Sequence, residues 1–223
     1  MIPTALPSLM KKHGKLESYP AGQVFHAPDF PETLFLIKAG YAKRYQLTKD
    51  DKRVIELIYG PGRIFPTSQL YKKIFGLDQN HEDLIYVYQA MTDIEIIRMS
   101  VGEVISYLDK DPKLYIDLFY DSGIKLKSNV NRLASNAIKD DYKKVAYQIA
   151  CLAEEFGQPA GVKERPTIQI SVPLKPIDMA EQLNISVEVA DAVMSSLTKN
   201  KLISIKNDII TISDVGMLKD IYL

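Results

Sequence analysis

The residues with the most chemical content lie within residues 175–212. Ser186, Val187, Glu188, Asp191 and Ala192 are spaced so that a helix starting near Ser186 would present them around its first two turns. Such a helix end suits the reading of base edges: a glutamate accepts from a cytosine amino group and a valine touches a thymine methyl, whereas Asp191 would repel phosphate. Phosphate anchoring would fall to Lys175, Lys199, Lys201 and Lys206, with Lys143 and Lys144 more distant in sequence. Each of these lysines reads equally well as a solvated surface charge. Residues 139–223 hold 10 Lys plus Arg against 12 Asp plus Glu, so duplex affinity has to come from local placement rather than from the sum.

Those residues need a rigid carrier, and the surrounding pattern provides one. Pro176 suits a first helical position, and Met179, Ala180 and Leu183 share one face of a helix of about two turns. Asn184 tolerates a left-handed backbone, and Ser186 offers a hydroxyl to cap a second helix that carries Val189, Ala190, Val193 and Leu197 inward. Small Ala180 and Ala190 let the two helices cross closely and steeply, as in a helix-turn-helix. Residues 202–212 are β-branched on both sides of Asn207-Asp208, which predicts a two-residue hairpin turn and hence a wing. The competing reading is a helix pair and hairpin that only pack.

A long helix is predicted upstream, with Asp111 able to cap it and Pro112 to begin it. In it Ile116, Phe119, Gly123, Leu126, Val130, Leu133 and Ala137 recur at steps of three and four, about three heptads of apolar seam. Such a seam meets either the chain's own barrel or a second helix; its length and the flanking Lys125, Lys127 and Arg132 favour a two-fold dimer. Asp140-Asp141 interrupts this helix and can cap the next, whose stripe of Val145, Ile149, Leu152 and Phe156 stops at Gly157. Residues 158–166 read as a loop, and the alternation of Ile168, Ile170 and Val172 as a strand leading into the helix-turn-helix.

Residues 19–99 read as all-β. Pro20-Ala21-Gly22, Pro31, Gly40, Asp50-Asp51 and Gly60-Pro61-Gly62 punctuate short β-prone runs at 33–38, 41–47, 53–59 and 94–99, which suits a barrel or sandwich. Residues 66–83 break the pattern and, with Tyr71, Ile74 and Phe75, predict a short helix and loop over the barrel mouth. The expected organisation is α+β: a barrel sensor domain over 1–110, a dimerisation helix over 111–139 and a winged helix-turn-helix over 140–223.

Composition narrows the function. The 223 residues suffice for two compact domains, and 28 basic against 28 acidic residues exclude a strongly basic coat protein. One cysteine excludes an internal disulfide, a four-cysteine zinc site and a cysteine-held iron-sulfur cluster, and Cys151 is expected as a small buried core residue. His13, His26 and His81 lack ligand spacing, which disfavours a metal enzyme on the barrel and leaves haem at His26 or His81 as a minor reading. No nucleophile-base pattern or phosphate loop occurs, so no enzymatic activity, cofactor or metal is expected. No apolar run approaches the ~20 residues of a bilayer span and none precedes a cleavage signal, so a soluble, cytoplasmic protein without a membrane partner is expected.

In order and spacing, several of these segments resemble the transcription regulators typified by the cyclic AMP receptor protein and the fumarate-nitrate regulator. The resemblance covers nearly the whole chain. It rests on Pro20-Ala21-Gly22-Gln23-Val24-Phe25, Leu34-Phe35-Leu36-Ile37-Lys38-Ala39-Gly40 and Tyr59-Gly60-Pro61-Gly62-Arg63-Ile64-Phe65 in the barrel, and on Met179-Ala180-Glu181-Gln182-Leu183-Asn184-Ile185-Ser186 and residues 197–205 in the winged helix. It implies a jelly-roll sensor, a dimer helix and a DNA-binding winged helix, with double-stranded DNA, a second copy of the chain and RNA polymerase as partners. It also places an effector pocket near Thr67, Ser68, Leu84, Ile85, Lys127 and Asn131, a degenerate pocket being an equally fair reading.

Three departures from the family stand out. Members that bind cyclic nucleotides carry a Gly-Glu pair and later an arginine with a small hydroxyl residue, where this chain has Pro66-Thr67 and Leu84-Ile85; an apolar pair cannot neutralise a phosphate, so no cyclic-nucleotide binding is expected. Arg98, the nearest later arginine, reads as a strand residue facing solvent. The family's oxygen sensors have several cysteines near the N-terminus, and this chain has only Cys151. Glu188 matches a family glutamate, but the one or two arginines usual beside it are missing. The leading expectation is thus a homodimeric DNA-binding regulator that senses a signal other than a cyclic nucleotide, or none; the alternative is the same fold used as a protein-interaction module.

Overall fold

In the computed structural model, residues 4–26, 30, 32–50, 52–76, 86–162 and 165–222 are described. Contacts divide the chain into two units, Met1–Asp51 with Glu56–Leu126, and Lys52–Ile55 with Lys127–Leu223. The division falls inside the long helix, between Leu126 and Lys127.

The first unit contains helix α1 (Ala5–His13) and strands β1 (Lys15–Tyr19), β2 (Val24–His26), β3 (Thr33–Ala39) and β4 (Ala42–Leu47). After β5 (Arg53–Tyr59) and β6 (Ile64–Phe65) come α2 (Thr67–Phe75), β7 (Tyr86–Ala90), β8 (Ile94–Ser100) and α3 (Val101–Lys110). The strands make two four-stranded sheets, in the orders β1-β8-β3-β6 and β2-β7-β4-β5. Alternation along β3 places successive side chains in two different cores. Phe35 and Ile37 join Phe25, Tyr59, Phe65 and Tyr88 in one, while Leu34 and Leu36 join Leu6, Met10, Leu70, Val104 and Leu108 from the helices in the other. Gly40 closes the turn after β3 at φ +83°, and a Cβ there would meet the Asp93 carbonyl at 2.4 Å, so only glycine fits.

Helix α4 (Leu114–Ala137) begins two residues later than its predicted proline start. Asp111 instead ends α3, and its carboxylate accepts from the Lys113 N–H at 3.1 Å, closing the turn between the helices. Two helices were missed upstream. One of them, α3, carries a capping box in plain sight, Ser100 accepting from the Glu103 N–H at 3.2 Å and Glu103 from the Ser100 N–H at 3.0 Å.

The second unit holds α5 (Asp141–Phe156), β9 (Gly157–Val162), β10 (Arg165–Ile170), α6 (Pro176–Leu183), α7 (Val187–Lys199), β11 (Ile203–Lys206), β12 (Ile209–Ile212) and α8 (Val215–Tyr222). Asp140 caps α5, accepting from the Lys143 N–H at 2.9 Å. Val145 and Ile149 are wholly buried, with Leu152 and Phe156 almost so. The expected loop over 158–166 is corrected: β9 pairs antiparallel with β10 at the edge of a sheet ordered β11-β12-β10-β9. Its Gly, Pro and Ala content hid it, because an edge strand tolerates residues of poor β propensity. Gly157 serves close approach here, since a Cβ would lie 2.1 Å from the Ala153 carbonyl.

Among the described residues, no helix is long and apolar enough to cross a membrane, and no cluster of His, Cys, Asp and Glu could hold a metal ion. Leu84, Ile85 and His81, and with them the cyclic-nucleotide comparison, lie outside the described residues.

Candidate nucleic-acid interface

The α6–α7 pair forms as its sequence dictates. Pro176 takes the first helical position, Asn184 adopts the left-handed conformation at φ 51°, ψ 47°, and Ser186 caps α7 by accepting from the Val189 N–H at 3.3 Å. Ala180, Leu183, Ala190 and Leu197 are buried as expected, together with Met194, which the sequence reading passed over. Val189 and Val193 are only half-buried.

This leaves Ser186, Val187, Glu188, Asp191 and Ala192 exposed on the leading turns of α7. Glu188 is held below the ordinary carboxylate range by hydrogen bonds from its own backbone and from Ser186, so near neutral pH it is an acceptor only. Lys175, Lys199, Lys201 and Lys206 are exposed around the same pair and hairpin. Lys143 is exposed too, whereas Lys144 is turned against the protein 3.5 Å from Asp141. The wing has the expected turn, with Asn207 and Asp208 both at positive φ (52° and 63°), the condition for a tight type I′ hairpin. Lys206 stands beside it, paired in register with Ile209.

The long helix departs from an ordinary amphipathic helix. Its apolar stripe points outward: Phe119 is 75% exposed, Leu126 65%, Leu133 62%, and Ile116 and Val130 are also exposed. Gly123 and Ala137 complete the stripe and are exposed. The helix's buried residues are two leucines near the start, Leu114 and Leu118, and three polar ones, Asp117, Asp121 and Ser135. Asp117 accepts from the Leu6 N–H, Ser128 donates to Glu155 at 2.5 Å, and Ser135 is wholly buried. Asp121, 5% exposed, lies 2.5 Å from the Lys125 ammonium.

Lys125 therefore does not flank the seam. Its Nζ donates to the Ile64 carbonyl at 2.6 Å and to Thr67 Oγ1 at 3.3 Å, and it sits 5.5 Å from the Tyr59 ring. Burial pushes its pKa down, and the Asp121 charge opposes that. Of the residues assigned to an effector pocket, Thr67 is thus joined to the long helix by Lys125, two residues before the expected Lys127. Lys127 is paired with Glu154 at 2.9 Å, Ser68 is exposed, and the Asn131 carbonyl accepts from Ser135 at 2.9 Å. Lys125 and Lys127, two residues apart, fall on opposite sides of the helix.

Elsewhere, Arg98 is half-exposed and 3.5 Å from Glu17. Cys151 is half-buried rather than buried; burial pushes its thiol up to about 11. Such a thiol stays protonated and unreactive near neutral pH.

No protein-family model matches the sequence, and no curated protein does. Solved structures match along the whole chain. A variant of CooA from Carboxydothermus hydrogenoformans superposes with a TM-score of 0.73 at 18% identity, over 100% of this chain and 95% of that one. FixK2 from Bradyrhizobium japonicum gives 0.72 at 15% identity, over 94% and 98%. A transcriptional regulator of the CRP/FNR family from Thermus thermophilus gives 0.64 at 16%, over 93% and 98%. The fold is that of these regulators: an N-terminal double-sheet domain, a long helix and a C-terminal winged helix-turn-helix.

Proposed function

We propose that this chain is a transcription regulator of the CRP/FNR type, a homodimer that reads duplex DNA with α7 and whose sensor domain responds to a signal other than a cyclic nucleotide, or to none. The observation that carries this reading is the capped and exposed N-terminal end of α7, which presents Ser186, Val187, Glu188 and Ala192 to solvent on a rigid two-helix support. The outward stripe of α4 supplies the pairing. An apolar row of this length on a soluble protein marks an interface, and two copies packed along it would repeat α7 about a two-fold axis. Half-sites about 34 Å apart, one duplex turn, would then be engaged by successive grooves.

In this arrangement the Glu188 carboxylate accepts from a cytosine amino group and Val187 meets a thymine methyl. Lys175, Lys199, Lys201 and Lys206 hold phosphates, and RNA polymerase is the partner through which bound dimers act. A barrel signal would work by shifting the long helices and so the separation of the two reading helices. Retention of genomic fragments by the purified chain, followed as salt is raised, tests the proposal. Specific fragments should be held with an affinity that falls steeply with salt. Glu188→Ala should relax discrimination at one base pair by about 1–3 kcal/mol, and Lys199→Ala should weaken all sequences alike while lowering the salt slope by about one.

One observation favours a second reading: both carboxylates of α7, Glu188 and Asp191, are exposed on the reading face, with no arginine among its exposed residues. A protein partner with a basic surface would accept such a face. Absence of any salt-sensitive retention of DNA would decide for it.

A further inference from the structure

The second unit buries a chain of polar side chains that joins three helices. Ser135 on α4 is wholly buried, Gln148 on α5 is 5% exposed and Gln182 on α6 is 4% exposed. Ser135 Oγ lies 2.9 Å from the Asn131 carbonyl and 2.7 Å from Gln148 Oε1, and Gln148 Nε2 donates to Gln182 Oε1 at 2.7 Å. Alongside, Asn136 Nδ2 donates to the Gln182 carbonyl at 3.2 Å, within the last turn of α6, where carbonyls have no partner inside the helix. In this orientation Gln182 Nε2 is buried without an acceptor. Turning both amides over gives each amide nitrogen an acceptor: Ser135 donates to Asn131, Gln148 Nε2 to Ser135 Oγ and Gln182 Nε2 to Gln148 Oε1.

We infer that Gln148 and Gln182 are positioning residues, a latch that fixes the helix-turn-helix against the C-terminal part of the long helix and so sets the angle at which α7 meets DNA. On the same two helices Val145, Ile149, Leu152, Met179 and Leu183 are buried and apolar, and contacts of such side chains are non-directional. They hold the helices together but tolerate small rotations and slides. A buried amide does not, because any shift that breaks its hydrogen bonds leaves the group desolvated and unpaired. Gln182 lies two residues before Asn184 and four before the α7 cap at Ser186, so its anchoring bears directly on the reading helix. The inference rests on the DNA-binding reading, and its test separates the two.

The test uses the full chain with Cys151→Ser, Lys127→Cys and Ser195→Cys, carrying spin labels at the two exposed positions on α4 and α7 and diluted with unlabelled chain. The double variant Gln148→Leu with Gln182→Leu removes both amides at similar volume, so the fold and thermal midpoint should be nearly kept. The expected result is a narrow label-to-label distance distribution that broadens or shifts in the double variant, with at least tenfold weaker retention of a fragment selected by the parent chain. The parent's preference for one half-site spacing should also flatten, which a loss of general stability would not cause. Unchanged distances overturn the latch. Changed distances with unchanged retention and spacing preference overturn its role in presenting α7. A parent chain that retains no DNA defeats the DNA-binding reading and this role with it, while the distances still decide whether the latch exists.

Discussion

The two faces of the long helix invert the usual order of a soluble helix. Facing the protein, besides Leu114 and Leu118, are Asp117, Asp121, Lys125, Ser128 and Ser135, each of these five tied by hydrogen bonds or an ion pair. Facing solvent are Ile116, Phe119, Leu126, Val130 and Leu133. Apolar burial drives folding of most helices onto their own core. Here Leu114 and Leu118 bury apolar surface where the helix starts, while the outer stripe stays exposed in the single chain, and directional polar contacts help hold the rest of the helix in register. The difference teaches that the two faces are suited to separate work: the inner one positions the helix, and the outer one is the face the proposed dimer would use.

Substitutions on the two faces should therefore fail differently. The largest effect is expected from Leu126→Asp with Val130→Asp. Charges on the outer face should weaken self-association by at least about 1,000-fold, while the urea midpoint of the separated chain, compared at concentrations where the parent too is monomeric, stays nearly unchanged. Sedimentation equilibrium read beside a denaturation curve checks it, and a stability loss without dissociation would reverse the assignment of the faces.

Asp121→Asn on the inner face should do the opposite. It strands the buried Lys125 ammonium, which costs about 3 kcal/mol of stability, and should leave the outer apolar face intact for association. A smaller effect concerns Cys151, whose thiol is raised from 9.0 to about 11 by burial. Its alkylation at pH 8 should run about a hundredfold slower than that of a free thiol and accelerate on unfolding. Because the folded state keeps this proton, the associated stability is present below pH 9 and is lost as pH rises through 11. Smallest is Asp117→Asn, which weakens the bond accepted from the Leu6 N–H and should cost about 1 kcal/mol, read as a lower thermal midpoint.

How much of this was legible follows from which signals are local. The helix-turn-helix and its wing were readable because caps and turns are written in single residues: Pro176, Asn184, Ser186 and Asn207-Asp208 all behave as their backbone preferences require. The outward stripe was readable as a period, although periodicity alone does not say which side faces solvent. The inner face was not readable. Asp121, Lys125, Gln148 and Gln182 look like surface residues in a sequence, and only partners distant along the chain, such as Ile64 for Lys125 and Ser135 for Gln148, make them interior. Strand β9 escaped for a related reason, since its pairing with β10 rather than its own composition makes it a strand.

Mass determination by light scattering during size-exclusion chromatography, with and without a selected duplex, tests the central claim most directly. The account predicts a free species of twice the 25.2 kDa chain mass and a complex of two chains on one duplex. A free species of one chain at micromolar concentration, binding one chain per duplex or none, would contradict it.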